Sequence, residues 1–103
     1  MEHTDPLEII VEKGFTEMEM AIHPNDGQDL DLYTREHSLI FYAGQSLDKF
    51  KSGEGQLGEG ELHLLNECRH GTLMVSDYLC GKLNFCDKAM LIRDNNRIFM
   101  AYK

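Results

Sequence analysis

The chain has 103 residues, 42% of them hydrophobic and 27% charged, with a formal net charge of −8. That composition excludes a wholly disordered chain and leaves room for one core only. The acidic balance argues against a nucleic-acid backbone as partner, because such affinity comes largely from lysine and arginine displacing counterions.

The charge is uneven. Residues 1–31 carry nine acids (Glu2, Asp5, Glu8, Glu12, Glu17, Glu19, Asp26, Asp29, Asp31) against Lys13 alone, whereas residues 32–103 carry nine of each sign. No basic region followed by an apolar leader opens the sequence, and no run approaches the roughly 18 apolar residues that span a bilayer, so the expected location is the cytoplasm. Cys68, Cys80 and Cys86 cannot all pair within one chain and are expected as reduced, buried thiols.

In chain order, "TDPLEIIVEKG" carries helix punctuation: Asp5 as cap, Pro6 at the first helical position, Glu8 at capping-box spacing and Gly14 as the stop. A short helix is predicted, against the β-branched run Ile9-Ile10-Val11. From Thr16 the period becomes two: Met18, Met20 and Ile22 share one face and Glu17 and Glu19 the other. After turn residues "HPNDGQ", Leu30 and Leu32 repeat the alternation in a second strand, and Ser38–Ala43 forms a third, which completes an antiparallel meander. In this third strand Leu39, Phe41 and Ala43 lie on one face and Ile40 and Tyr42 on the other. Both faces are apolar, so the second needs a cover, and a second protein chain is the expected one.

Residues 44–60 hold five glycines (Gly44, Gly53, Gly55, Gly58, Gly60) and read as a crossover, flexible over about 51–60, with one helical turn at "SLDKF". From about 61 to 80, Leu62, Leu65, Cys68, Thr72, Val75 and Leu79 fall within one arc at helical period. One long amphipathic helix is predicted there; Gly71 either interrupts it at a cost of ~1 kcal/mol or breaks it. "KLNFCD" reads as a strand, and "AMLIRDNNRIFMAYK" as a hairpin turning at Asn95-Asn96. The expected fold class is therefore α+β, a single domain over 1–103 of order α-βββ-α-ββ(β), with an antiparallel sheet.

Chemistry is sparse. His63, Glu67 and His70 would share a helix face at a spacing able to chelate a metal, but a solvated helix places polar residues there anyway. Cys80 and Cys86 match no common zinc spacing. The glycines of "GEGQLGEG" alternate with Glu54 and Glu59, which would repel phosphate. No catalytic residue, metal or cofactor is assigned, and enzymatic activity is not expected. Two alternatives to a binding role stay open. One is a winged-helix regulator with "TLMVSDYLCG" (offering Ser76, Asp77 and Tyr78) as recognition helix and Arg93 and Arg97 in the wing; the other is a small metal-binding protein.

The meander "DGQDLDLYTREHSLIFYAGQSL", the entry "LGEGELHLLN" into a central helix at "ELHLLNECRHG" and the closing "KAMLIRDNNRIFMAYK" resemble the class I type III secretion chaperones, over about Asp5–Lys103. The resemblance implies a small acidic homodimer, without catalysis or cofactor, that holds a secreted effector's N-terminal segment in extended form. On that basis the dimer interface maps to Leu62, Leu65, Cys68, Val75 and Leu79, and the partner surface to Met18, Met20, Leu30, Leu32, Ile40 and Tyr42. The sequence departs from the family in its short first helix and in ending without a further helix, which leaves room for a co-chaperone or regulator that binds another secretion component.

Overall fold

The computed structural model describes residues 1–103. In chain order the elements are β1 (Glu2–His3), β2 (Leu7–Val11), β3 (Glu19–Ile22), α1 (Pro24–Asp29), β4 (Glu36–Gly44), α2 (Leu47–Lys51), β5 (Gln56–Leu64), β6 (Thr72–Val75), α3 (Asp77–Lys82), β7 (Lys88–Asp94) and β8 (Arg97–Tyr102). Seven strands close into a barrel in the order β7-β2-β6-β3-β5-β4-β8, with β8 bonding back to β7, and β1 adds two residues alongside β7. The β2–β6, β3–β5 and β4–β8 ladders are parallel and the rest antiparallel.

This overturns the expected antiparallel sheet with a long central helix, for local reasons that can be named. In "PLEIIVEK" the β-branched run outweighs the capping signals, and Leu7–Val11 is a strand held between β6 and β7. The turn "HPNDGQ" is the helix α1, with Pro24 in its first turn and the His23 ring accepting a hydrogen bond from the Asn25 amide. Leu30 and Leu32 are therefore no strand. Leu30 closes the helix, Asp31 takes a left-handed φ of 58°, and both leucines turn into the core.

The 61–80 stretch is not one helix. Leu62 and Leu64 are the inward residues of β5, a turn ends at Gly71 with φ 87°, and Leu73 and Val75 are the inward residues of β6. Its period-two alternation was masked by Leu65 and Cys68, which lie in the turn and complete a spurious helical stripe. "KLNFCD" is the end of α3 and a left-handed exit through Asn84 and Phe85. The strand signals at β3 and β4, the helical turn α2 and the β7–β8 hairpin at Asn95 agree with the alternation and turn residues that predicted them.

Strands, turns and short helices repeat about a pseudo-twofold axis. The central β3–β6 ladder pairs Met20 with Val75, Ala21 with Met74 and Ile22 with Leu73, so it maps onto itself when each residue is exchanged for the one 53 positions on. The same shift converts the Phe15–Glu12 backbone bond into Cys68–Leu65, and Glu12–Val75 into Leu65–Ile22. It also turns Glu61–Met18 into Glu8–Gly71, and Leu32–Gly27 into Phe85–Cys80. Every ladder except β7–β8 joins a strand from before α2 to one from after it, so neither half can satisfy its own backbone groups alone.

The barrel interior holds a 17-residue apolar core that includes Leu7, Met20, Leu39, Phe41, Leu62, Leu73 and Leu91. The second apolar face of β4 is covered by the chain itself. Phe50 from α2 stacks on Phe99 at 4.8 Å and meets Tyr42 edge-on at 5.1 Å, and the Arg97 guanidinium caps Phe50 at 4.4 Å.

Candidate functional site

The residues expected at interfaces mostly build the barrel. Met20, Leu30, Leu32, Tyr42, Leu62, Cys68, Val75 and Leu79 are buried, and Met18, Ile40 and Leu65 are half-buried. The supposed stripe Leu62–Leu79 is divided among β5, a turn, β6 and α3. Cys68, sealed beside Met74, has its thiol pKa pushed up to about 11 by burial and by the nearby Glu67 and Asp26 carboxylates, so it is no nucleophile. Arg93 and Arg97 are spent on structure: Arg93 donates to the Leu30, Asp31 and Asn95 carbonyls, and Arg97 to Asp94 and the Phe50 carbonyl.

The trio His63, Glu67 and His70 is not assembled, and no group of three or more histidine, cysteine, aspartate or glutamate side chains stands ready to hold a metal. His63 points outward from β5 against Glu19 at 2.9 Å, with Glu36 and Glu61 at 3.7 and 3.8 Å. Glu19 lies below the usual carboxylate range, chiefly because the Thr16 amide and hydroxyl donate to it, and secondarily because of His63.

His70 instead meets the first half. Its Nδ1 lies 3.0 Å from Asp26 Oδ1, while Asp26 Oδ2 accepts from the Gly71 amide at 2.9 Å. The Asp26 side chain is 4% exposed and the His70 side chain 63%. The His23 ring stands edge-on to His70, 5.9 Å between centroids. His23 and Asp26 lie in "HPNDGQ", whose proline, asparagine and glycine signal a turn, so the sequence carries no sign of their meeting His70.

The largest concave surface is an open groove of about 740 Å³ along β7 and β8, lined in part by Pro6, Phe85, Met90, Ala101 and Tyr102. Cys86 donates to the Lys103 carbonyl at 2.8 Å and so ties one wall to the last residue. Phe85 is 75% exposed and sits at φ 55°, a left-handed conformation that costs a non-glycine residue about 1–2 kcal/mol. Its counterpart under the pseudo-twofold, Leu32, has no positive φ and is 2% exposed. "KLNFCD" hid Phe85 by reading as a strand.

Compared with protein-family models, with curated proteins and with solved structures, the chain matches none.

Proposed function

We propose that this chain is a non-catalytic binding domain that engages another protein through the β7–β8 groove, with Phe85 as its anchor. The observation that carries the reading is the contrast between Phe85 and Leu32. Matching backbone bonds hold both, yet one side chain fills the core and the other is presented to solvent in a strained conformation. Exposed aromatics beside an apolar groove are typical of interface anchors, since one ring buries much area at low entropic cost. The neighbouring Met90 adds an adaptable thioether, suited to variable apolar partners. An extended apolar segment of the partner chain fits this open surface better than a small ligand, which needs enclosure. The adaptor role expected from sequence is thereby kept in general form, moved from barrel-filling residues to a surface that is free. The type III chaperone reading keeps no structural support, because the element order on which that resemblance rested is not the one the chain adopts.

Selection of displayed peptides against the folded chain tests this. Apolar peptides should be enriched, should perturb amides of residues 84–90 and 101–103, and should lose at least tenfold in affinity with Phe85→Gly. Peptides that bind Phe85→Gly as tightly, or that perturb another face, would refute it.

A further inference from the structure

The outward face of β7 and β8 carries a conflict of charge. The antiparallel register sets Ala89 opposite Tyr102 and Met90 opposite Ala101. Lys88 and Lys103 lie one residue beyond the first of these pairs, so by alternation they stand opposite one another on the face that presents Met90, and both line the groove. Like charges in that relation repel. No carboxylate of the chain bridges them, because its ion pairs are those of His63, His70 and Arg97. Glu8 flanks Lys88 from β2 but lies outside the groove lining, and Asp87, the one acid in that lining, pairs with neither lysine. The groove thus inverts the balance of a chain that has 18 acids to 10 lysines and arginines.

We propose, building on the groove reading above, that the partner segment bound there is acidic as well as apolar, with an aspartate or glutamate side chain placed between Lys88 and Lys103. A carboxylate can accept from both ammonium groups at once, so binding removes the repulsion between them. Apolar side chains of the same segment cover Met90, Ala101 and Phe85 and keep water from the pair, which strengthens the attraction. Lys88 and Met90 are two residues apart on one face of β7, a step of roughly 7 Å, so an extended partner carries its acid two positions from a large apolar residue. The net charge of −8 would draw a basic partner from a distance, but that field is screened beyond about 8 Å at physiological ionic strength, and a basic side chain in the groove meets two like charges at contact. A phosphoryl group is the poorer fit, since phosphate favours the guanidinium fork and no arginine lines the groove.

Peptides selected from a random display library on the full chain are sequenced, and their affinities are measured. An acid two positions from a large apolar residue should be enriched. Replacing that acid by its amide should weaken binding about fivefold, as expected for one carboxylate shared by two partly screened ammonium groups. The double variant Lys88→Gln/Lys103→Gln should bind the acid and amide forms equally, and a selection repeated on Lys103→Glu should lose the acidic preference. Peptides that depend on Phe85 but carry no acid, or that bind the parent chain equally in acid and amide forms, would overturn this proposal and leave the groove reading standing. Peptides indifferent to Phe85→Gly, or no binding peptide at all, would overturn both. A phosphoserine form that binds at least tenfold more tightly than the aspartate form would overturn the assignment to a carboxylate.

Discussion

Residues 7–32 and 60–85 follow the same course: a strand, a turn, a second strand, a six-residue helix capped by a side chain, and a left-handed residue after a buried leucine. At matching positions only Glu8/Glu61 and Leu30/Leu83 are identical. What the halves share is a set of inward apolar side chains, Ile9/Leu62, Met20/Leu73, Ile22/Val75 and Leu30/Leu83, together with Asp31/Asn84 at φ 58° and 57°. These few positions specify the backbone network, and the others are free to diverge. Among the many differing pairs, some change the chemistry outright: His23, Asp26 and His70 stand against Ser76, Leu79 and Glu17, and Phe85 against Leu32.

Exchanging residues between the halves sharpens the contrast. Leu79→Asp would place a carboxylate at a wholly buried core position, and an uncompensated buried charge costs about 3–5 kcal/mol. Chemical denaturation should show most of the stability gone, or no folded chain at all. The reverse change, Asp26→Leu, leaves the Gly71 amide without its acceptor but gains apolar burial, for a net loss of about 1–2 kcal/mol. Comparable losses for the two would mean that the halves are not structurally equivalent.

Phe85 and Leu32 supply a smaller difference of opposite sign. Phe85→Gly removes a ring already 75% exposed and relieves a left-handed φ, so thermal stability should hold or rise by up to about 1 kcal/mol. Leu32→Gly empties a core position and should cost about 3 kcal/mol or more. A clear loss of stability in Phe85→Gly would show that the ring supports the fold and would remove the reason to read it as an anchor.

The same comparison explains what could be read from sequence. Elements in which one signal dominates were legible: Met20 and Ile22 alternating with Glu19, the Asn95 hairpin, and Phe50 in a helical turn after the capping Ser46. Elements that depend on the other half were not. Leu7–Val11 has its partners at Thr72–Val75 and Lys88–Ala89, far along the chain, so its local capping signals pointed to a helix that long-range pairing overrides. The repeat itself was invisible, because a fold held by burial at a few positions tolerates nearly complete replacement elsewhere. The cover over Tyr42 is not legible because the helical turn at "SLDKF" is a local signal, whereas the docking of its Phe50 on Tyr42 and Phe99 is a long-range contact.

The turns before β3 and β6 differ in how they respond to acid. Glu19 closes the first by accepting from the Thr16 amide at 2.7 Å and the Thr16 hydroxyl at 2.8 Å, and those donors, with His63 adding less, hold its pKa below the ordinary carboxylate value. Its counterpart, Thr72, closes the second with a hydroxyl that donates to the Arg69 carbonyl and does not titrate. A carboxylate with a lowered folded pKa contributes stability that is complete above its unfolded pKa and disappears as pH falls through the folded one. In a pH series the Thr16 amide should therefore shift with a midpoint below the usual carboxylate range while the Thr72 amide stays still. The stability lost in Glu19→Gln at neutral pH should shrink toward zero in acid. A gap between parent and variant that widens on acidification would show that Glu19 is not the acid-labile clasp of its turn.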